Sequence, residues 1–287
     1  MKISGFSFVR NGVKFDYPFL ESISSLLPIC DEFVITVGKS DDDTLERIQQ
    51  IGSPKIKIIE TVWDEALRTG GRVLAQQTDI ALDHVSGDWA FYLQADEVVH
   101  EADLPIVRDA VQHFHADPHV EGLLFRYKHF YGSYDYVGSS RQWYRNEIRV
   151  VRNGTAVRSW GDAQGFRIGG RKLRVKAIEA SIYHYGWVKP PDVQIAKQRS
   201  FHRLWHPDEW IQQRLGQSTS FDYDMRTRLE RFAGSHPAVM RERIKAAEWK
   251  FEYDPSRVRP SFKDALLDWI ESKTGVRIGE YKNYELI

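Results

Sequence analysis

Near its start the chain alternates short apolar runs with stretches whose apolar residues recur at helical spacing. Residues 3–9 alternate apolar and small side chains and stop at Arg10-Asn11-Gly12, a turn signal, which predicts a first strand. A helix is expected over residues 18–27, a β-branched strand over 32–37, a helix over 45–51 and a third strand over 56–60. Within residues 71–85, Leu74, Thr78, Ala81 and Val85 fall on one helical face. Asp88-Trp89-Ala90-Phe91-Tyr92-Leu93 then has the nearly continuous apolar character of a buried central strand.

Strands and helices in this alternation predict an α/β fold whose mostly parallel sheet is covered on both faces. Ligands of such sheets bind beyond the carboxyl ends of the strands, which directs attention to residues 9–11, 38–44 and 94–97. From residue 122 to 182 the pattern turns strand-like and aromatic, with strands expected over 122–127, 147–152 and 177–183. After Pro190-Pro191 it becomes helical, over 208–215, 238–251 and 262–272, and Ser261 and Asp264 are spaced as a capping box. We therefore expect one domain over residues 1–190, with nucleotide-binding (1–100) and acceptor (120–190) parts, followed by a helical extension over 191–287.

The 287 residues carry 40 Lys and Arg against 40 Asp and Glu, which excludes a generally basic nucleic-acid binder. That neutrality is a cancellation, because residues 1–130 hold 12 cationic and 21 anionic side chains and residues 131–287 hold 28 and 19. The densest cationic stretch is 141–176, where an anionic ligand or acceptor is expected around Arg167, Arg171 and Arg174. Cys30 is the only cysteine, so neither a disulfide within the chain nor a cysteine-rich zinc site can form. No apolar run reaches the roughly 18 residues of a membrane span, and a cytoplasmic protein, at most peripheral to a membrane, is expected.

The chemistry is concentrated at strand ends. Asp96 and Glu97 follow the apolar run of residues 89–93, where carboxylates can hold a hard cation on a diphosphate; capping of a following helix is the plainer use of the same residues. This segment, Leu93-Gln94-Ala95-Asp96-Glu97, together with Val34-Ile35-Thr36-Val37-Gly38-Lys39-Ser40-Asp41-Asp42-Asp43-Thr44 and Ile182-Tyr183-His184-Tyr185-Gly186-Trp187, resembles a family 2 glycosyltransferase of the GT-A fold over about residues 1–200. The resemblance implies a nucleotide-diphosphate sugar donor linked to UDP, GDP or dTDP, a hydroxyl acceptor such as a glycan, and Mn or Mg on the diphosphate. It places the metal on Asp96 and His184, and the nucleotide against Val9, Arg10 and Asp42; Asn11 joins the donor candidates by its place at the end of the first strand. Gln94 and Ala95 belong to the same motif. Gln94 stands where the first acid of the family's Asp-x-Asp usually lies, although a branch of the family also reads Leu-Gln-Ala-Asp-Glu. Val37 stands where many members carry an acid.

The rest follows from what the transfer demands. A developing diphosphate needs positive charge, worth roughly 4 kcal/mol for a cation at 4 Å and an effective dielectric of 20. Arg72 and Gln76, with Gln77 and Asp79, lie on the helix before the acid-bearing strand and can reach a donor, or simply form a solvated face. Lys189 and Lys197 flank Pro190-Pro191 and can close over phosphates, or serve solubility. Inversion needs a general base, for which Asp162 is the choice: it is the only acid between Arg149 and Lys176, in the turn-like Ser159-Trp160-Gly161-Asp162-Ala163-Gln164-Gly165-Phe166. An Asp turn paired with a nearby Arg is the plainer reading. Trp160, Gln164, Trp187 and Lys189 are acceptor or phosphate candidates. His113, His115, Asp117 and His119 have metal-ligand types, yet an exposed helix end explains them better. A silent GT-A module that only binds a glycan or nucleotide is the principal alternative. A nucleotidyltransferase would carry a Gly-rich basic loop after the first strand and a dehydrogenase a Gly-x-Gly-x-x-Gly, and neither is present.

Overall fold

In the computed structural model, which describes residues 1–67, 69–223, 228–258 and 261–287, the early apolar runs form the centre of a large sheet. β1 (Ile3–Val9), β2 (Glu32–Gly38), β3 (Ile56–Thr61) and β4 (Trp89–Tyr92) are parallel in the order β3-β2-β1-β4. The helices α1 (Phe19–Leu26), α2 (Thr44–Gln49) and α3 (Arg72–Asp83) lie in the connections between them. Alternate residues of each strand feed opposite faces. Phe33, Ile35 and Val37 share a core with Phe19, Ile23 and Leu26 of α1 and with Val107 and Val111 of α4 (Leu104–Phe114). Phe6, Val34 and Ala90 join a second core with Val73, Leu74, Ala81 and Leu82 of α3. Burial on both faces is why the strands read as continuous apolar runs, each full burial of such a side chain being worth about 1.5–3 kcal/mol.

Beyond β4 the sheet continues with mixed direction. β5 (Glu97–Val99), β6 (Gly122–Tyr131), β7 (Tyr136–Gly138), β8 (Asn146–Arg152) and β12 (Arg174–Trp187) complete it, with β8 antiparallel to both β4 and β6. β12 runs parallel to β6 and antiparallel to β5, so that His184 lies opposite His129 on one side and opposite Glu97 on the other. β9 (Val157–Trp160), β10 (Gly165–Ile168) and β11 (Arg171–Lys172) form a separate antiparallel sheet. The α/β class and the covered, mostly parallel sheet that the GT-A resemblance implies are thus present.

The remaining chain comprises α5 (Pro191–His202), α6 (Asp208–Leu215), β13 (Leu229–Arg231), α7 (Arg241–Lys245), α8 (Phe262–Thr274) and β14 (Glu285–Leu286). β13 adds to β7 and β14 to β12. Arg243 of α7 bonds Asp16 and Glu21, and Arg141 bonds Glu271 of α8. The helix expected over 238–251 is only a 3-10 turn, Ala238–Met240, followed by α7. Past Lys245 the aromatic side chains leave for separate partners: Trp249 Nε1 donates to Gly132 O at 2.8 Å, and Phe251 packs against Tyr131, Tyr136 and Tyr223.

The cationic stretch also departs from expectation. Arg171 and Arg174 bond the Glu121 carboxylate, and Arg167 is buried and donates to the carbonyls of Phe166 and Asn283. Arg145 pairs with Glu280, and Arg152 donates to four backbone carbonyls around the end of α4. These charges hold the fold together and are not gathered for an external anion. Among the described residues, no helix is long and apolar enough to cross a membrane.

Candidate functional site

The carboxyl ends of β1 and β2 are knitted by short polar side chains. Asn11, with φ of 54°, accepts from Asp41 N through Oδ1 at 2.8 Å, while its own N–H donates to Ser40 Oγ at 2.9 Å. Asn tolerates this left-handed conformation better than most residues. Asp42 Oδ2 accepts from Lys14 N at 2.6 Å, and its Oδ1 accepts from Thr44 N and from the Thr44 hydroxyl. Arg10 donates to Lys39 O and lies over the Trp63 ring, 5.4 Å from its centroid. Trp63 abuts Gly38, where a Cβ would come within 2.4 Å of the indole nitrogen. Val9 is buried, so only its backbone can face a ligand. Arg10, Asn11 and Asp42 therefore gather at one strand-end surface, with Asp42 serving first as a brace of its loop.

The turn after β4 is fixed from below by a buried ion pair. Arg149 and Glu97 are fully buried and meet through two N–H···O contacts of 2.8 Å, from Nε to Oε2 and from Nη2 to Oε1. Tyr127 donates its hydroxyl to Glu97 Oε1, and Gln94 N donates to Oε2 at 3.0 Å. Arg149 Nη1 also donates to Gln164 O at 3.1 Å. One guanidinium thus ties the turn carrying Gln94, Ala95 and Asp96 to the loop carrying Asp162 and Gln164.

Asp96 is buried beside His184 and two lysines. Lys197 Nζ donates to Asp96 Oδ2 at 3.1 Å and to Gly186 O at 2.8 Å, over the ring of Tyr17. His184 Nε2 lies 3.7 Å from the same Oδ2. Burial alone would raise the Asp96 carboxyl, but Lys197, His184 and Lys189 around it hold it well below the usual carboxylate range. Burial, then the Lys197 charge, lowers the Lys189 ammonium to about 7, and its Nζ donates to Asp16 O at 2.7 Å. Gly186 makes this crowding possible, because a Cβ there would lie 2.6 Å from both Asp96 Oδ2 and His184 Nε2.

A divalent cation between Asp96 and His184 would have to share or displace Lys197 Nζ on Asp96 Oδ2. Two ligands bound at about 2.1 Å to one ion accommodate a 3.7 Å separation of Asp96 Oδ2 and His184 Nε2. Among the described residues no group of three His, Cys, Asp or Glu side chains is placed to hold an ion, so further ligands would come from a diphosphate or water. The Gln94 side-chain amide turns to the neighbouring loop and donates to Ala163 O at 3.3 Å.

That contact places the Asp162 loop against the acid-bearing turn. Asp162 is half-buried, and burial raises its carboxyl above the ordinary value. Ala163, next to it, has φ of 66° and is buried, a conformation that costs a non-glycine residue about 1–3 kcal/mol. Gly71, at the start of α3, faces Asp162 and Trp205: a Cβ there would lie 3.0 Å from each. Gly71 N also donates to Leu204 O, so the turn after α5 covers this side of the loop.

The other candidates are more scattered. Arg72 is exposed in the first turn of α3 and Gln76 is half-buried in its second. Gln77 is buried and accepts from Thr61, and Asp79 accepts from Ser159 N, so both brace the fold. Trp160 is exposed and its ring faces Arg167 at 5.5 Å. Trp187 stands in an aromatic cluster with Tyr131, Trp143 and Phe221. His113, His115 and His119 are exposed around the end of α4.

Sequence reasoning missed Lys197 as the partner of Asp96, Arg149 as the partner of Glu97, and His129 beside His184. A signal existed for the last, since two histidines on apolar strands become neighbours whenever those strands pair in that register.

No family model matches the chain, and neither does any curated protein. Solved structures are similar over parts of it. Staphylococcus aureus TarS 1–349 in complex with UDP is 18% identical, with a TM-score of 0.34 over 45% of this chain and 36% of that one. TarS 1–349 alone is 13% identical, with a TM-score of 0.40 over 71% and 65%. The mannosyltransferase PcManGT from Pyrobaculum calidifontis, in complex with GDP-Man and Mn2+, is 19% identical, with a TM-score of 0.33 over 42% and 34%. The chain thus spans less than two thirds of the length of these structures.

Proposed function

We propose that the chain is an inverting glycosyltransferase that moves a sugar from a nucleotide-diphosphate donor to a hydroxyl acceptor in glycan assembly. The observation that supports this best is the meeting of Asp96, His184 and the Asp162 loop at the carboxyl end of the central strands. In this reading residues 1–190 are the catalytic domain, and the chain from 191 onward supplies Lys197 and Trp205 to its site.

The nucleotide lies along the ends of β1 and β2, against the backbone of Val9 and the side chains of Arg10, Asn11 and Asp42. Its diphosphate reaches Lys197 and, through the cation, Asp96 and His184; Lys189, expected from sequence to meet phosphate, is fully buried with its Nζ on Asp16 O and lies behind them. A Mn or Mg ion on Asp96 and His184, when bound, supplies charge to the leaving diphosphate. Asp162 takes the proton of the acceptor hydroxyl, the acceptor oxygen bonds to the anomeric carbon, and the electrons of the sugar–phosphate bond leave with the diphosphate. A half-buried carboxylate with raised proton affinity suits that role. Trp160 and Gln164, on the same loop, border the acceptor side.

Calorimetric titration with UDP, GDP and dTDP in the presence of Mn tests the donor half of this reading. Saturable binding of at least one nucleotide, weakened in Asp96→Ala, is expected; no binding of any would overturn it. Binding without turnover of any sugar donor would favour the silent module.

A further inference from the structure

The arrangement of hydrogen bonds around His184 has a direction. His129, on β6, is buried and lies in register with His184 of β12. Its Nε2 is 2.9 Å from the Tyr144 carbonyl oxygen, and its Nδ1 is 3.1 Å from His184 Nδ1. A carbonyl oxygen only accepts, so His129 Nε2 carries a proton. In a neutral imidazole the other nitrogen is then an acceptor, and His184 Nδ1 must be the donor to it. That leaves His184 Nε2 without a proton, and this is the atom 3.7 Å from Asp96 Oδ2.

We infer that His129 is a positioning residue: it fixes His184 in the Nδ1–H tautomer, so that the unprotonated Nε2 faces Asp96. Without that restraint the Nε2–H tautomer would be favoured, because its proton would point at the Asp96 carboxylate 3.7 Å away, and a cation would have to displace that proton. Packing holds the device in place. The His129 ring meets Tyr144 edge-on at 4.3 Å and Trp143 at 5.0 Å. Tyr144 thus contributes both the carbonyl that orients His129 and the ring that confines it. The role as a cation ligand rests on the proposed function, whereas the tautomer does not.

The test is a long-range proton–nitrogen correlation spectrum of metal-free protein labelled with 15N-histidine, at a pH where both rings are neutral. Signals from His184 in the Nδ1–H form and from His129 in the Nε2–H form are expected. His184 in the Nε2–H form would overturn the inference, whether or not any nucleotide binds. His129→Leu removes the acceptor and His129→Asn restores one. The Leu variant is expected to bring the Nε2–H form of His184 into the spectrum and weaken Mn2+ binding by about 10- to 100-fold, with the Asn variant recovering most of the loss. An unchanged His184 tautomer in a folded Leu variant would equally refute the role. Should that variant not fold, the wild-type spectrum alone decides. Absence of Mn2+ binding beside the expected tautomer would count against the proposed function and leave the inference standing.

Discussion

Replacing Arg149 with Met asks how much of the site depends on one buried charge. The side chain is fully buried, joined to Glu97 by two contacts of 2.8 Å, and lies 5.3 and 5.1 Å from the rings of Tyr92 and Tyr127. Methionine fills part of the volume but leaves Glu97 buried with, among the described residues, only the Tyr127 hydroxyl and Gln94 N as donors. Breaking such a pair costs about 3–5 kcal/mol, a large share of a domain's usual 5–15 kcal/mol. Removing both charges in Glu97→Leu/Arg149→Met abolishes the unpaired carboxylate. The double variant is therefore expected to be more stable than Arg149→Met alone, even though the contact to Gln164 O is gone. Urea unfolding of the four proteins, followed by circular dichroism at low and high salt, gives the coupling energy. Salt should scarcely alter it, because a fully buried pair is little screened. A loss below about 1 kcal/mol in Arg149→Met, or penalties that simply add in the double variant, would refute the reasoning.

Glu147 offers a second test. It is buried, no hydrogen bond reaches its Oε2 among the described residues, and burial raises its carboxyl to about 8 from 4.5. Between those values the folded state holds a proton that the unfolded state has released, so this group costs stability progressively as pH rises from 4.5 to 8. Each tenfold difference in proton affinity is worth about 1.4 kcal/mol, so Glu147→Gln should gain a few kcal/mol at pH 9 and almost nothing at pH 4.5; equal gains at both would contradict this account. Gly186→Ala needs no strained backbone, but its Cβ would push on the buried Asp96 and His184, so it should cost about 1–3 kcal/mol of stability and block the gap between them; unaltered Mn2+ affinity in the folded variant would show that the gap is not the cation site. Arg171→Gln/Arg174→Gln strips Glu121 of both guanidinium partners, leaving only the N–H of residue 174 among the described donors, and should lower the unfolding midpoint without changing the KM for acceptor; the reverse pattern would restore the anion-binding role expected from sequence.

The central sheet was legible because its strands are buried on both faces and therefore advertise themselves as apolar runs between turn signals. The ends of residues 94–97 and 38–44 were legible for the same reason, since a polar residue after such a run marks the rim where ligands meet the sheet. What could not be read was pairing at long range. Arg149 looked like one more member of a basic stretch, and only the antiparallel approach of β8 to β4 brings it under Glu97. Lys197 lies 101 residues from Asp96 and on a helix with a weak amphipathic pattern, so nothing in its neighbourhood announced the contact. The stretch 238–251 misled for a different reason: its apolar spacing is helical, but separate aromatic pockets compete for Trp249 and Phe251 and win.

The most direct test is turnover. Purified protein with Mn or Mg should cleave at least one of a panel of UDP-, GDP- and dTDP-linked sugars, and transfer the sugar with inversion when the matching hydroxyl acceptor is supplied. Asp162→Asn should bind that donor as the parent does and transfer essentially nothing. Full transfer by Asp162→Asn would remove the base from the mechanism, and no cleavage or transfer with any donor would contradict the account as a whole.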